Sequence, residues 1–355
     1  MMRQLIINPG STSTKIAVFD DDKVIYEETL RHDAEELKDF KRVADQFEFR
    51  MNLINEALKK AGIEASSLEA VVGRGGLLKP IPGGTYEVNE ALLRDLNEAK
   101  RGEHASNLGG ILAAAIAKKI GKRAFIVDPV VVDENDDVAR ISGLKDIENV
   151  TIWHALNQKA VARRYAKEIG KRYDELNLIV VHLGGGVSVA AHQKGRCPDI
   201  PNALDGSGPM SPERCGTLPV GELVKLCYSG KYTYEEVKKM LVGKGGLMSH
   251  LGTNSAKDAI DRYHAGDQYA ELVIKAMAYQ VAKDIGAQAV VLKGKVDQIL
   301  ITGGIAYSDE FCSWIEEYVK FIAPVKVYPG EDEMLALAEG GLRVLSGEEK
   351  AKEYK

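Results

Sequence analysis

The chain has 355 residues, of which 45% are apolar and 28% are charged, and its formal net charge is −5. This composition is typical of a soluble globular protein, and the length favours two domains over a single core. The negative net charge and the lack of a clustered Lys/Arg stripe argue against nucleic acid as a partner.

The sequence shows neither a signal-peptide pattern nor a membrane-span pattern. Its N-terminus carries one Arg and a short apolar run that Asn8-Pro9-Gly10 interrupts. The longest candidate span, residues 111–120, is too short and contains Lys118 and Lys119. The cysteines lack zinc-type spacing, and we expect them to be free thiols in a reducing cytosol: Cys197, Cys215, Cys227 and Cys312. We therefore predict a cytoplasmic protein with no membrane partner.

The first elements predicted along the chain form a hairpin with a polar turn. Residues 5–20, LIINPGSTSTKIAVFD, predict two strands, and residues 23–30 predict a third antiparallel strand. Pro9-Gly10 marks the turn, and the hydroxyl groups of residues 11–14 precede Lys15. Hydroxyls, backbone N–H groups and one ammonium suit a phosphoryl group. An ordinary Ser/Thr-rich hairpin is the alternative interpretation of this stretch alone.

The next residues predict helices over 41–61, 90–100 and 105–120, and strands over 68–72 and 123–128. Residues 77–86 contain two prolines and a glycine pair, and they predict a loop. Arg74 lies between glycines after the first of these strands, where it could extend into a cleft or lie in a surface loop. Asp128 ends the second strand, where α/β domains bind ligands, although helix caps and turns use Asp equally often. The irregular residues 139–150 suggest a domain boundary.

The second half predicts helices over 158–169, 235–243, 256–264, 269–287, 311–321 and 334–345. Residues 179–191, IVVHLGGGVSVAA, again predict strand, glycine turn and strand. His154 precedes a helix, and His182 ends a strand as Asn8 does, although a lone histidine is usually a structural hydrogen-bonding residue. Arg214 ends the Pro/Gly-rich loop 199–215, and long loops of this kind often bind ligands.

The recurrence of the strand–glycine-turn pattern predicts a duplicated architecture. A third version, residues 298–306 (QILITGGIA), has the first strand and the glycines. Two related halves, each with a turn of phosphate size, suggest that a nucleotide is held in the cleft between them.

Several common classes of enzyme are excluded by missing motifs. The chain has no GxxxxGK[ST], no GxGxxG with a suitable acidic residue downstream and no GxSxG. No His/Cys/Asp cluster has the spacing of a metal cage, so any metal should arrive with the nucleotide, as Mg²⁺ does. The remaining polar residues at strand ends and glycine turns suit phosphoryl transfer, which needs positioning and positive charge. They are Asn8, Ser11, Lys15, Arg74, Asp128, His154, His182, Arg214 and Glu333.

The segments INPGSTSTK, VHLGGG, ERCG, ITGGI and EDEMLALA resemble the acetokinase family in kind and order. Acetate kinase has N-G-S-x-S-x-K, H-L-G-N-G, T-R-C-G and N-E-E-L-A at the matching places, and the resemblance covers essentially the whole chain. It implies the ribonuclease H-like α/β fold of the acetate and sugar kinase/Hsc70/actin proteins. Two similar domains, each with a mixed sheet flanked by helices, would then enclose a nucleotide cleft. Residues 1–146 plus 332–355 would form the N-terminal lobe, and residues 147–331 the nucleotide-binding lobe.

The resemblance also implies roles for individual residues. It implies catalytic roles for Arg74, Asp128, His154 and Arg214, with the two arginines binding the carboxylate and stabilising the transition state. ATP or ADP would be bound by Asn8, Ser11, Ser13, Lys15, His182, Gly184, Gly185, Gly186, Gly303 and Gly304. Mg²⁺ would associate with Glu333 and Asn8.

Three departures from acetate kinase are visible. Gly185 replaces the Asn of H-L-G-N-G, and residues 153–158 (WHALNQ) keep only the first histidine of Phe-His-Gly-Thr-Ser-His. Gly76 replaces a pocket-lining Val. A smaller residue there would leave room for extra methylene groups, each worth about 0.8 kcal/mol of burial. This favours a four-carbon acid over acetate.

The implied activity is reversible transfer of the ATP γ-phosphoryl group to the carboxylate of a short-chain fatty acid, with butyrate favoured. Branched short acids, acetate or propionate are alternative substrates. A sugar or polyol kinase of the same fold and a non-catalytic ATP-driven clamp are the competing interpretations. The resemblance further implies a homo-oligomer, at least a dimer.

Overall fold

The computed structural model describes residues 1–355 apart from the side chain of Ala34. The strands are β1 (Arg3–Pro9), β2 (Ser13–Asp20), β3 (Lys23–Arg31), β4 (Ala70–Arg74), β5 (Thr85–Glu87), β6 (Arg123–Val127), β7 (Asn177–Leu183), β8 (Val187–Gln193), β9 (Gln298–Gly303), β10 (Val325–Pro329) and β11 (Lys352–Glu353).

The helices are α1 (Ala34–Leu37), α2 (Phe47–Lys60), α3 (Glu90–Glu98), α4 (Asn107–Ile120), α5 (Asp137–Arg140), α6 (Ala155–Glu168), α7 (Val220–Cys227), α8 (Tyr234–Leu241), α9 (Leu247–Leu251), α10 (Ala256–His264), α11 (Gln268–Val291), α12 (Asp309–Val319) and α13 (Glu333–Leu345). No helix in the described part of the chain is both long enough and apolar enough to cross a membrane. All four cysteines are free thiols, as predicted.

The chain divides into two compact units. Unit 1 comprises Met1–Val132 and Asp332–Lys355, and unit 2 comprises Asp133–Glu331. The sheet of unit 1 has seven strands in the order β11-β5-β6-β4-β1-β2-β3. Strands β1, β2 and β3 form the predicted antiparallel meander, while β4 pairs parallel to β1 and β6 parallel to β4.

The sheet of unit 2 repeats the central part of this arrangement. Its order is β10-β9-β7-β8, in which β7 and β8 are antiparallel and β9 and β10 continue parallel to β7. Strands β8, β7, β9 and β10 therefore correspond to β2, β1, β4 and β6. The predicted duplication is confirmed, and the third version of the pattern has the strand and the glycines that the sequence predicts. Strand β9 corresponds to β4, a parallel strand that follows a crossover, and its glycines do not form a hairpin turn.

The residues just after Val132 pack with unit 2. The Asp133 carboxylate forms a bidentate ion pair with Arg140, at 2.7 Å for both contacts. Glu134 accepts the Lys159 ammonium at 3.0 Å and the Cys197 N–H at 2.8 Å. These contacts place the division of the units at Val132, earlier along the chain than residue 146.

Glycines allow close packing of helices on the sheet of unit 1. A Cβ atom on Gly73 of β4 would lie 2.1 Å from the Gly109 carbonyl oxygen of α4. On the other side of the sheet, a Cβ on Gly340 of α13 would lie 2.5 Å from the Val127 side chain. The core between α2, α4 and the sheet is formed by aliphatic residues that are almost fully buried, including Leu5, Ile54 and Leu112.

The predicted elements agree with the structure except at particular ends and in short segments. Helix α6 begins at Ala155, three residues before its predicted start, and the short strand β5 occupies the end of the predicted loop 77–86. The sequence analysis did not predict α1, α5, α7, α9, β10 or β11. Strand β10 is only half-buried, which weakens its apolar signal, and β11 has two residues.

We predict that Gly73→Ala destabilises unit 1, because the new methyl group would collide with the backbone of α4. The expected loss is about 3 kcal/mol, the upper end of typical overpacking costs. Urea unfolding measures it. Gly143→Ala is the matched control because a Cβ there meets no atom within 4 Å. Equal stability of the two variants would contradict the packing argument.

Candidate active site

Three predicted site residues of unit 1 lie at one edge of its sheet. In the parallel register Ile7 is opposite Gly73, so Asn8 and Arg74 are neighbours at the ends of β1 and β4. Arg74 in turn is opposite Val127, the residue before Asp128. Because parallel strands end at a common edge, the structure brings Asn8, Arg74 and Asp128 to the position where α/β sheets bind ligands.

Glu333 completes this group from the first turn of α13. Its Oε2 accepts hydrogen bonds from Arg74 Nη1 at 2.6 Å and from Asn8 Nδ2 at 2.8 Å. Arg74 Nη1 also donates to Asn8 Oδ1 at 3.2 Å. Both charged side chains are about one-quarter exposed. The cluster is therefore preformed and open to solvent on one side.

Arg74 keeps donors for a further partner. Its hydrogen bonds to described residues all use Nη1, so the N–H groups on Nε and Nη2 can bind an anion. His104 lies within the electrostatic influence of the same guanidinium. Burial, and then the positive charge of Arg74, lowers the pKa of His104. The sequence analysis missed His104, whose only signal was a histidine just before a helix.

Asp128 is 1% exposed and has an unusual backbone conformation. Its φ of 37° lies in the left-handed region, which is uncommon for a residue other than glycine. Its Oδ1 accepts the Gly84 N–H at 2.6 Å, and its own N–H donates to the Gly84 carbonyl at 3.1 Å. Asp128 thus anchors the segment around Gly84 to the end of β6, and such strained residues occur often at functional sites.

The predicted phosphate turn of unit 1 is exposed at its tip. Ser11 and Thr12 are exposed, Ser13 is half-buried, and the Gly10 N–H donates to the Ser13 carbonyl at 2.8 Å. Lys15 lies opposite Asn8 in the antiparallel register, and its ammonium pairs with Glu27 on β3 at 3.0 Å.

A buried arginine, Arg50 of α2, supports this turn from beneath. Its Nη1 donates to the carbonyls of Gly10 and Ser13 at 2.9 and 3.0 Å and to Thr14 Oγ1 at 2.9 Å. Gln46 Oε1 accepts from Nε and Nη2. Among the described residues no carboxylate pairs with Arg50. Its positive charge is therefore uncompensated, and burial lowers its pKa to about 10.

In unit 2 two histidines lie against the glycine turn that follows β7. The rings of His154 and His182 stack with centroids 3.8 Å apart, and His182 Nδ1 bonds to Asn157 Oδ1 at 2.9 Å. A Cβ on Gly186 would lie 3.4 Å from His154 Cε1 and 3.7 Å from its Nε2. The outer edge of the His154 ring therefore faces the turn formed by Gly184, Gly185 and Gly186.

The loop that carries Arg214 is bonded to the same turn. The Gly185 carbonyl accepts the Ser211 hydroxyl at 2.7 Å and the Glu213 N–H at 3.3 Å. Arg214 Nε is buried without a hydrogen-bond partner among the described residues, and Nη1 lies 3.6 Å from the Glu213 carboxylate. The Nη1 and Nη2 groups of Arg214 make no hydrogen bond to the described residues, so Arg214, like Arg74, retains donors for an added anion.

Gly303 and Gly304 follow β9 beside the end of β7. Gly303 has a φ of 98°, and a Cβ on it would lie 2.3 Å from the Leu183 carbonyl oxygen. Only glycine fits this approach, which brings the backbone after β9 next to the glycine turn after β7. The structure therefore groups all of the predicted site residues of unit 2.

The two glycine substitutions noted in the sequence have different structural settings. A Cβ on Gly185 would meet only Glu213 Oε2, at an ordinary 3.6 Å, so the family's Asn could be accommodated at its Cβ. A Cβ on Gly76 would collide with Asn107 Oδ1 at 2.3 Å and with Leu96 at 2.9 Å. The interpretation that Gly76 leaves room for substrate methylene groups is wrong, because Asn107 and Leu96 fill that space.

The side-chain oxygens of Asn8 and Glu333 fit a magnesium ion that arrives with a nucleotide. Both present oxygen atoms, which Mg²⁺ prefers, and the ion is commonly held by one or two carboxylates together with substrate phosphates. No group of three or more His, Cys, Asp or Glu residues with metal-binding geometry occurs in the described part of the chain. The oxygens of Asn8 and Glu333 could therefore supply part of a coordination shell, but not a complete cage.

The fold and these two groups of residues define a class of protein. The crystal structure of acetate kinase from Porphyromonas gingivalis superposes with a TM-score of 0.79 at 18% identity, over 97% of this chain and 100% of that one. This similarity confirms the predicted fold of the acetate and sugar kinase/Hsc70/actin proteins.

Sequence comparison narrows the class to one family. The profile of the Acetokinase family matches residues 152–326. Butyrate kinase 1 of Clostridium acetobutylicum is 62% identical over 355 residues, 100% of both chains. A probable butyrate kinase of Clostridium botulinum is 57% identical over 350 residues, 99% of each chain. The chain belongs to the acetokinase family, which confirms the resemblance found in its motifs.

We predict that Arg50→Met loosens the first turn, because it leaves the carbonyls of Gly10 and Ser13 without a donor. The expected loss of stability is about 2–3 kcal/mol, since each unsatisfied buried acceptor costs about 1–3 kcal/mol and removal of the buried charge offsets part of it. Urea unfolding and amide hydrogen exchange at residues 10–14 measure the effect. Arg172→Met, at an exposed ion pair, is the control. Unchanged exchange in the turn would refute this role.

Proposed function

We propose that this protein transfers the γ-phosphoryl group of ATP to the carboxylate of butyrate, reversibly and by direct in-line transfer, giving butyryl phosphate and ADP. Family membership and the full-length similarity to proteins named butyrate kinase support this substrate. One structural observation carries the chemistry. Arg74 and Arg214 each keep guanidinium donors that no described residue uses. Guanidinium groups of this kind suit carboxylate and phosphoryl oxygens.

The acceptor in this reaction needs no general base. A carboxylic acid with a pKa of about 4–5 is already ionised at neutral pH, so its oxygen can attack phosphorus directly. The main obstacle is then the repulsion between two anions. In our proposal Arg74 binds the carboxylate at the edge of the unit 1 sheet, and Arg214 neutralises charge on the transferring group. Such contacts supply several kcal/mol in a transition state.

Asn8 and Glu333 would hold Mg²⁺, which would neutralise charge on the nucleotide phosphates when bound. Arg74 bonds to both residues, so the carboxylate-binding group and the metal-binding oxygens are positioned by the same cluster. Asp128 would act through positioning and the metal rather than by accepting a proton. Its buried carboxylate already accepts a backbone N–H, which agrees with such a role.

Nucleotide binding would fall mainly to unit 2. His182 and the glycine turn 184–186 would contact the phosphates, His154 would donate to the transferring group, and Gly303 and Gly304 would border the adenosine. From unit 1, the turn with Ser11, Ser13 and Lys15 would add backbone, hydroxyl and ammonium donors.

Initial rates with ATP and a series of acids test the substrate. We expect kcat/KM to peak at butyrate in the series from acetate to hexanoate, with isobutyrate as the branched comparison. Hydroxylamine traps the acyl phosphate as a hydroxamate. A preference for acetate, propionate or a branched acid would replace butyrate within the same reaction. Phosphorylation of hexoses without hydroxamate formation would instead establish a sugar kinase.

We predict that Arg214→Ala lowers kcat by about two to three orders of magnitude, because one charged donor to the transition state is lost. The fold should persist, since the side chain makes no short hydrogen bond to the described residues. Steady-state rates and circular dichroism measure the two properties. Arg172→Ala removes an exposed arginine and should retain full activity. A fully active Arg214→Ala variant would contradict the proposed role.

We further propose a homo-oligomer in the cytoplasm. Helix α11 exposes an apolar stripe that could pack on a second copy: Tyr269, Leu272, Tyr279 and Val290. Sedimentation velocity measures this assembly, and a monomer at micromolar concentration would exclude it.

A further inference from the structure

A chain of five hydrogen-bonded side chains leads inward from His154. We call it the His154 relay, and it consists of His154, Ser188, Gln158, His192 and Tyr173. Ser188 and His192 lie on one face of β8, and Gln158 on α6 lies between them. Gln158, Ser188 and His192 are fully buried. Ser188 and His192 lie outside the segments in which the chain resembles the family, and Gln158 stands at a position where the chain departs from acetate kinase.

The orientation of the Gln158 amide follows from its neighbour. Its Nε2 lies 3.0 Å from the Ser188 carbonyl oxygen, and a carbonyl can only accept a hydrogen bond. The NH₂ group must therefore face β8 at this point, with its second hydrogen on Ser188 Oγ at 2.8 Å. The amide oxygen is left facing His192 Nε2, at 3.0 Å.

His192 can carry its proton on only one nitrogen in this arrangement. Burial, followed by the charges of Lys159 and Arg163, lowers the pKa of His192 well below its usual value, so the ring is neutral. The oxygen of Gln158 accepts, so Nε2 must hold the hydrogen. Nδ1 then accepts from the Tyr173 hydroxyl, at 2.6 Å.

The same reasoning fixes the proton of Ser188. A hydroxyl has one hydrogen and two lone pairs, and among the described residues Ser188 Oγ bonds to only two side chains, Gln158 and one neighbour on the other side. The Gln158 NH₂ group can only donate, so that neighbour is the one side chain able to accept the hydroxyl hydrogen. That neighbour is His154 Nδ1, at 2.9 Å. A nitrogen that accepts a hydrogen bond presents a lone pair, so the neutral imidazole of His154 carries its hydrogen on Nε2.

We propose that the relay holds His154 as the neutral Nε2–H tautomer and presents this N–H to the glycine turn 184–186 as a hydrogen-bond donor for a phosphoryl oxygen. The geometry at the turn supports this orientation of the N–H, because Nε2 and Cε1 form the ring edge that faces Gly186. This inference rests on the proposed function and adds to it the form of His154 that acts. Gln158, Ser188 and His192 are positioning residues, since they act through His154.

The tautomer has a chemical consequence. With Nδ1 engaged by Ser188 and Nε2 already protonated, His154 is set to donate a hydrogen bond and not to remove a proton. This agrees with an acceptor that is ionised before it reacts. The two stacked histidines also differ in their hydrogen bonds, because His182 Nδ1 bonds to the amide side chain of Asn157 and not to a hydroxyl.

Heteronuclear NMR of the full chain with ¹⁵N-labelled histidine, without nucleotide and at neutral pH, measures the tautomer directly. The His154→Gln variant assigns the signals. We expect the Nε2–H pattern for His154. Two results would overturn the proposal: an Nδ1–H tautomer, or an imidazolium ring.

Two variants alter the relay in different ways. Ser188→Ala removes the hydroxyl that donates to His154, so the single tautomer should become a mixture. Gln158→Glu introduces a carboxylate that cannot donate to Ser188. The serine hydroxyl should then turn toward it and accept from His154, which favours Nδ1–H. Tyr165→Phe is the matched control, because Tyr165 lies on α6 but bonds to Gln298 outside the relay. An unchanged His154 pattern in a folded Ser188→Ala or Gln158→Glu variant would overturn the proposal.

Steady-state rates with ATP and butyrate then test the link to the reaction. We expect Ser188→Ala to lower kcat roughly tenfold to hundredfold, less than complete loss of a transition-state donor, with little change in the KM for ATP. Tyr165→Phe should leave both parameters unchanged. A shifted tautomer with an unchanged kcat would refute the role of the relay in catalysis. Wild-type protein that phosphorylates no short acid would refute the proposed function instead. The NMR experiment would still decide, independently of activity, whether the relay holds His154 as the Nε2–H tautomer.

Discussion

The parallel pairing of β4 with β1, repeated as that of β9 with β7, determines where the candidate site residues can lie. Each unit starts with an antiparallel hairpin and then places its next strand parallel to the first strand of that hairpin. The carboxyl ends of these strands therefore meet at one edge. Asn8 and Arg74 become neighbours in unit 1, and Gly303 lies beside Leu183 in unit 2. Gly303 keeps the backbone after β9 free of steric conflict with β7, and Gly73 allows α4 to pack closely on β4.

The features that sequence reasoning found are those with strong local signals. The hairpins combine apolar strands with Pro/Gly turns, and long helices such as α11 have clear periodicity. The arginines and histidines of the candidate site lie at strand ends or in glycine-rich loops, where side chains are seldom needed for core packing. Family motifs then attached roles to these residues, and the structure brings together those that belong to the same unit.

The features that sequence reasoning missed depend on tertiary contacts. Arg50 is an ordinary helix residue until the fold places it beneath a turn distant in sequence. Gln158 and Ser188 become hydrogen-bond partners only when α6 packs on β8. The start of helix α6 was not located from the sequence because its N-cap is His154, which is not one of the usual cap residues Ser, Thr, Asp or Asn. Gly76 was interpreted as a gap in a binding pocket, whereas the side chains of Asn107 and Leu96 occupy the space beside it.

The burial of Arg50 determines how strongly dissolved salt can screen its positive charge. Counterions in solution weaken charge interactions mainly where water reaches both partners. Arg50 is enclosed by protein and has no acidic partner among the described residues, so dissolved salt screens its field poorly. If the first turn binds a phosphoryl group as proposed, its attraction for that anion should therefore persist at ionic strengths that weaken the exposed pair between Lys15 and Glu27.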